Sequence, residues 1–210
     1  VQIFDNYSTG HGGGIELLNP QSGTVLTNLM VYNNHSDIGS GGMKIRGPTN
    51  LQNVTVVNNS SPEYGGIYNN SNQSHWNNVI IRENENGSYF GNPGSITYSN
   101  IEYEFSGEGN INEDPDFVDP ENNDYSLTDG SPCINSGDPN PWYIDVDGST
   151  SDMGATGGPF FRINFEEWNF GEIGDFGATK IWELFNFRKD RQMVTIDSIN
   201  ISSSSFTSGA

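Results

Sequence analysis

A seven-residue phrase led by asparagine returns through the first half of this chain and narrows the folds open to it. It reads Asn28-Leu29-Met30-Val31-Tyr32-Asn33-Asn34, then Asn53-Val54-Thr55-Val56-Val57-Asn58-Asn59, then Asn78-Val79-Ile80-Ile81-Arg82-Glu83-Asn84. A shorter copy, Asn100-Ile101-Glu102-Tyr103, closes the series, and the leading Asn residues stand 25, 25 and 22 positions apart. A period of this size marks a solenoid, whose repeats bury their apolar sides only by stacking on one another. Within each phrase apolar residues alternate, as in Leu29 and Val31 or Val79 and Ile81, which is the period of a strand. A second phrase interleaves with the first: Gly13-Gly14-Ile15, Gly41-Gly42-Met43, Gly65-Gly66-Ile67 and Gly94-Ser95-Ile96. Two or more short strands per turn, joined by Gly- and Asn-rich corners, predict a parallel β-helix.

Asparagine suits such corners because it tolerates the left-handed backbone and bonds to nearby main chain. Stacked at one position, Asn28, Asn53, Asn78 and Asn100 are expected to join their amides in a ladder. A second column runs through Asn6, Asn34, Asn59 and Asn84. Val1 to Asn6 aligns with Leu29 to Asn34, so the chain opens inside a coil. That opening predicts either earlier coils or another molecule against the exposed strand edges.

Eight basic against 27 acidic residues give a net charge of −19, which argues against nucleic acid and anionic membrane surfaces as partners. No stretch reads as a transmembrane segment. Sixteen acids and no Lys or Arg lie between Arg82 and Arg162. Within that stretch come Gly109-Asn110-Ile111-Asn112-Glu113-Asp114-Pro115-Asp116-Phe117, Asn123-Asp124-Tyr125-Ser126-Leu127, Gly130-Ser131-Pro132-Cys133-Ile134-Asn135-Ser136-Gly137-Asp138-Pro139, Asp145-Val146-Asp147-Gly148 and Asp152-Met153-Gly154-Ala155. This ordered set, over about residues 95–157, resembles the closing segment of bacterial secreted right-handed β-helix proteins of the pectate-lyase-like, choice-of-anchor type. The resemblance implies that these residues finish and cap the helix, on a protein exported to the cell surface or the medium. It names a mode of export rather than a reaction.

Composition changes after Gly157-Gly158-Pro159. Ile163-Asn164-Phe165, Phe170-Gly171-Glu172-Ile173-Gly174, Ile181-Trp182-Glu183-Leu184-Phe185 and Val194-Thr195-Ile196-Asp197-Ser198-Ile199 resemble the opening strands of hydin-type immunoglobulin-like domains. A complete sandwich takes about 100 residues, so 160–210 is expected to be an incomplete one. The fold expectation is therefore all-β: a right-handed parallel β-helix over 1–157, with its acidic closing segment at about 98–157, followed by a partial immunoglobulin-like β-sandwich.

Chemistry is sparse. Cys133 is the only cysteine, so it reads as a buried structural thiol. His11, His35 and His75 fall in different phases of the repeat. Positions after the Gly-Gly corners align Glu16, Lys44, Tyr68 and Thr97, with Arg46 and Asn70 beside them. In that column Lys44 or Tyr68 is the candidate base of a β-elimination, and Arg46 the group that neutralises a uronate carboxylate; the competing reading is a surface ion pair between Glu16 and Lys44. Asp145, Asp147 and Asp152 are calcium candidates, since hard cations take clustered carboxylates, but the run lacks the later ligands of a calcium loop and reads equally as a turn. Sequons stand at Asn6, Asn34, Asn53, Asn58, Asn59, Asn72, Asn86 and Asn200, and Asp197-Ser198-Ile199 resembles an O-glycosylation acceptor.

These observations predict an extracellular or surface-bound structural or adhesive protein that assembles end to end with other copies of itself. The alternatives are a polysaccharide lyase and a carbohydrate-binding module, for which polysaccharide is the partner. No cofactor is implied beyond the calcium candidates.

Overall fold

The structure is a computed structural model that describes residues 1–102 and 105–159. The immunoglobulin-like element expected over 160–210, with Ser198 and Asn200, lies outside the described residues. The first coil holds β1 (Gln2–Phe4), β2 (Tyr7–Ser8) and β3 (Ile15–Leu18), and the second holds β4 (Thr24–Tyr32), β5 (His35–Ser36) and β6 (Met43–Arg46). The third holds β7 (Thr49–Val57) and β8 (Ile67–Asn69), and the fourth β9 (His75–Arg82) and β10 (Tyr89–Gly91). Then come β11 (Ser95–Thr97), β12 (Asn100–Ile101) and a hairpin of β13 (Phe117–Asp119) and β14 (Asp124–Leu127).

Every strand of the coils pairs in parallel with its counterpart one coil along. One sheet runs β1-β4-β7-β9-β11, with β12 also on β9, and a second runs β3-β6-β8-β10. A third, narrow column joins β2 to β5 and continues through a bridge from His35 to Ser60. The chain is thus a parallel β-solenoid of about four turns, and the described residues contain no α-helix.

The 25-residue step carries the register: Leu29 faces Val54, and Val54 faces Val79. Val31, Val56 and Ile81 stack likewise in the interior with Met43, Ile45, Ile67 and Trp76. Each such side chain contributes roughly 1.5–3 kcal/mol of burial. The long strands bend at Asn28, Asn53 and Asn78, whose φ values of 50°, 50° and 54° are left-handed. That residue breaks the alternation, so Leu26 and Leu29, three apart, both point inward. At the opposite corner coils meet backbone to backbone. A Cβ on Gly41 would strike the Ser60 carbonyl, and one on Gly66 the Ser88 carbonyl, so only glycine fits.

Three expectations are corrected here. The last coil is shorter, and Thr97 aligns with Asn77 while Asn100 aligns with Ile80. Asn100 therefore lies two places beyond the column of Asn28, Asn53 and Asn78, whose next position is Tyr98. Second, the amide ladder is the other column. Asn6 donates to Asn34 Oδ1 at 2.8 Å, Asn34 to Asn59 Oδ1 at 2.9 Å, and Asn59 to Asn84 Oδ1 at 3.0 Å. Third, the Asn28 column turns outward and bonds to the acidic segment. Asn28 Nδ2 donates to the Gly157 carbonyl at 3.0 Å, Asn53 and Asn78 Nδ2 to Ser151 Oγ at 3.3 and 3.1 Å, and Asn100 Nδ2 to the Glu113 carbonyl at 2.8 Å.

The acidic segment therefore does two things: residues 105–111 pair in parallel with the last coil and lay Phe105 on the interior cluster, and from Phe117 onward it is a strap along the flank. Gly154 N–H donates to the Asn78 carbonyl, Ala155 N–H to Thr55 Oγ1, and Gly157 receives Asn28, so the strap steps back over the coils. It goes there because the long strands are apolar on their outer face as well. Met30, Tyr32, Val57 and Ile80 form a second buried cluster with Phe117, Tyr125, Cys133 and Met153 of the strap. Among the described residues no helix is long and apolar enough to cross a membrane.

Candidate functional site

The sheet β3-β6-β8-β10 presents a different surface. Its parallel register aligns Glu16 with Lys44, Lys44 with Tyr68, and Tyr68 with Phe90. The fourth member is thus Phe90 and not Thr97. Gly94-Ser95-Ile96 belongs to the long-strand sheet, and the counterpart of Gly65-Gly66 is Gly87-Ser88, which accept the amides of Gly66 and Ile67. The five-residue shortening of the last coil hides this in the sequence.

Three rings gather on that column. Tyr64 stacks on Phe90 with centroids 4.4 Å apart and planes at 17°, and Tyr68 lies 5.8 Å from Phe90 at 20°. Phe90 is 48% exposed, far more than a ring of its size needs to be in a folded chain. Tyr68 and Phe90 border a hollow of about 860 Å³ whose other walls include Asn70, Asn72 and Asn92. Tyr64 and Tyr68 are tilted 36° from one another, and these rings beside side-chain amides offer both an apolar surface and paired donors and acceptors.

Lys44 lies over the Tyr68 ring at 5.5 Å, within cation–π range. It is only 5% exposed. Burial, and then the neighbouring Arg46, push its ammonium below the ordinary lysine value, against the opposing pull of Glu16 and Glu63. The Glu16–Lys44 ion pair does not form; among the described residues the basic–acidic contact within 4 Å is His35 with Asp37, which is ionic only when the imidazole is protonated. Sequence reasoning placed Lys44, Arg46 and Tyr68 together, and the register does bring Lys44 and Tyr68 side by side with Arg46 at the end of β6. It missed Tyr64 and Phe90, since neither follows a Gly-Gly corner. His11 also lies at this end of the sheet: a Cβ on Gly39 would come 2.6 Å from His11 Nδ1 and 3.4 Å from Lys44 Nζ. His11 Nδ1 is buried with no hydrogen-bond partner among the described residues.

The calcium candidates serve the strap. Asp145 accepts the amides of Asp152 (3.0 Å) and Gly158, Asp152 accepts that of Asn135 at 2.8 Å, and Asp147 accepts that of Ser149 at 2.9 Å. Burial, then the Asp152 charge, push Asp145 up to about 7. Among the described residues no three acidic, His or Cys side chains converge as a metal site. The turn reading is the one the hydrogen bonds support.

The sequons divide by burial. Asn34, Asn53 and Asn59 are no more than 1% exposed, with their amides committed to the ladder or the strap. Asn6 and Asn58 are exposed but donate to Asn34 and Asn33, and Asn86 donates to the Ser61 carbonyl. Asn72 is exposed on the rim of the aromatic hollow. Compared with known proteins, the chain matches no family model, no curated protein and no solved structure.

Proposed function

We propose that this chain is an adhesive protein of the cell surface or extracellular medium that binds polysaccharide along the β3-β6-β8-β10 face. The observation that carries the reading is the ring group in which half-buried Tyr64 and Tyr68 flank the exposed Phe90, with Tyr68 and Phe90 bordering a hollow lined by amides. The C–H face of a sugar ring packs on an aromatic face, and its hydroxyls pair with Asn donors and acceptors. Lys44 and Arg46 are two of the three cations among residues 1–102 and 105–159, and they make an acidic sugar the favoured ligand on a chain of charge −19. Export, a bacterial source and the right-handed pectate-lyase-like relationship belong to this same proposal and rest on the strap motifs. Self-assembly is part of it only in so far as several such faces on one fibre would raise avidity.

Isothermal titration against pectate, alginate, chondroitin and neutral glucan tests the reading. Binding to at least one of them, weakened about tenfold or more by Phe90→Ala, is the expected result. Absence of binding to all of them, or unchanged affinity in Phe90→Ala, overturns it. A lyase is the second reading, favoured by the lowered Lys44 ammonium next to Arg46. Appearance of unsaturated uronate absorbance with the same substrates, lost in Lys44→Met, would establish it in place of simple adhesion.

A further inference from the structure

The ladder has a consequence one residue further along. Because Asn6, Asn34, Asn59 and Asn84 stack, the residues after them must stack too, and these are Tyr7, His35, Ser60 and Glu85. Tyr7 is in register with His35, and His35 bridges to Ser60. His35 Nδ1 lies 2.8 Å from Ser60 Oγ, and His35 Nε2 lies 3.4 Å from Asp37 Oδ1. The Tyr7 hydroxyl donates to the other Asp37 oxygen at 2.6 Å, while its ring stacks on the imidazole with centroids 5.5 Å apart and planes at 9°. Ser60 also lines a hollow of about 540 Å³, with Asn58, Glu83 and Glu85 on its walls.

We propose that Ser60, His35 and Asp37 form a nucleophile–base–acid relay that hydrolyses small neutral carboxylic esters. The hydroxyl, the imidazole and the carboxylate stand in the order that acyl transfer requires, with the two ring nitrogens exchanged relative to the usual serine hydrolase arrangement. A neutral imidazole protonated at Nε2 faces Asp37 with its N–H and leaves the Nδ1 lone pair for the serine proton. Asp37 is a positioning residue, held by Tyr7. An imidazole–carboxylate distance of 3.4 Å is long for a hydrogen bond, as such contacts often are before substrate binds.

The step balances without a further co-reactant. Ser60 Oγ attacks the ester carbonyl and its proton passes to His35 Nδ1. The alcohol departs with that proton, leaving an acyl-serine. Water then attacks, gives a proton to His35, and the carboxylic acid leaves as Ser60 recovers the proton. Glu83 and Glu85 beside the hollow repel anionic acyl groups, which selects neutral esters such as acetyl esters.

The molecule contains its own control. His75 Nδ1 likewise lies 2.8 Å from Ser95 Oγ, in a separate His–Ser pair at the start of the long strands β9 and β11, but no described carboxylate comes within 4 Å of His75. A fluorophosphonate probe incubated with the full chain, followed by peptide mass spectrometry, separates the two sites. The expected result is modification of Ser60 and not of Ser95, none at position 60 in Ser60→Ala, and labelling slowed about 100-fold in His35→Gln but unchanged in His75→Gln. Asp37→Asn is expected to change the pH profile of labelling. No modification of Ser60, equal modification of Ser95, or an unchanged rate in His35→Gln overturns the proposal. The wild-type comparison of Ser60 with Ser95 stands even where a variant fails to fold.

Discussion

Replacing Asn59 by alanine removes the central rung of the amide ladder, and its cost can be worked from the hydrogen bonds. Asn59 Oδ1 accepts from the Asn34 amide N–H at 3.0 Å and from Asn34 Nδ2 at 2.9 Å. Its own Nδ2 serves the carbonyls of Val31 and Val57 and the Oδ1 of Asn84, each at 3.0 Å. Two hydrogens shared among three acceptors make each of those bonds weaker than a dedicated one. The residue is 1% exposed, so water cannot replace what is lost. The Asn34 backbone N–H is left without an acceptor, which costs about 1–3 kcal/mol, while Asn34 Nδ2 keeps the carbonyls of Ile3 and Tyr32, and the orphaned carbonyls add less. Asn59→Ala should therefore cost about 2–4 kcal/mol, whereas Asn6→Ala at the exposed end of the same column should cost about 1 kcal/mol or less. Asn59→Asp should be worse than alanine, because a carboxylate would face three acceptor oxygens. With a slope of about 2 kcal/mol per molar urea, the Asn59→Ala midpoint should fall by roughly 1–2 M in a urea titration followed by far-UV circular dichroism. Equal midpoints for the Asn59 and Asn6 variants would refute the view that the ladder, rather than the apolar interior, pins coil to coil.

Gly154→Ala should cost about 2 kcal/mol or more, because φ is +87° there and the new Cβ would lie 2.7 Å from both Ile80 Cδ1 and Thr55 Oγ1; calorimetry showing an unchanged melting temperature would contradict the strap packing. Asp145, raised from 3.8 to about 7, binds its proton more tightly folded than unfolded. Stability from that proton is thus fully present below about pH 4 and drains away as pH rises to about 7, by about 1–2 kcal/mol once the half-exposed setting is discounted. Denaturant midpoints measured across that window should slope downward, and Asp145→Asn should flatten the slope. Expressed in a host that attaches N-linked glycans, folded protein should carry sugar at Asn72 and none at Asn34 or Asn59, as read by glycopeptide mapping.

The solenoid was legible because its signal is repetitive: 25-residue spacing, alternating apolar residues and Gly-Gly corners each state the same coil independently. Register within the first three coils followed from that spacing alone. It failed at the fourth step, where a 22-residue interval between Asn residues conceals a coil shortened by five, and so Thr97 was expected where Phe90 stands. Which Asn column forms the ladder was not readable, because both place Asn at corners; in the structure Asn28, Asn53 and Asn78 take the left-handed backbone, whereas the ladder residues Asn34, Asn59 and Asn84 do not. The flank position of the strap did leave a trace. Met30, Tyr32, Val57 and Ile80 are apolar at the parity that ought to be solvent-facing, and strands apolar on both faces are buried on both. On the β3-β6-β8-β10 face the Lys44–Tyr68 pairing was visible in the sequence, but Phe90 joins it through the register of the shortened last coil, and Tyr64 through the corner that packs beside that strand. The Ser60–His35–Asp37 relay was implicit in the second Asn column, since each member lies one or three residues after a ladder residue.

The strap binds parts of the chain far apart in sequence: Asn28 reaches Gly157, and Thr55 reaches Ala155. A stack of repeats ordinarily unravels from an end, since each coil answers only to its neighbours. Here the last-made stretch of the solenoid is sewn to its earlier coils, so the four turns should open together or not at all. The same geometry sets a timetable on the ribosome. Until the strap from Phe117 to Met153 emerges, the outer apolar row from Met30 to Ile80 lacks its cover, and the nascent coils spend that interval with a hydrophobic surface exposed.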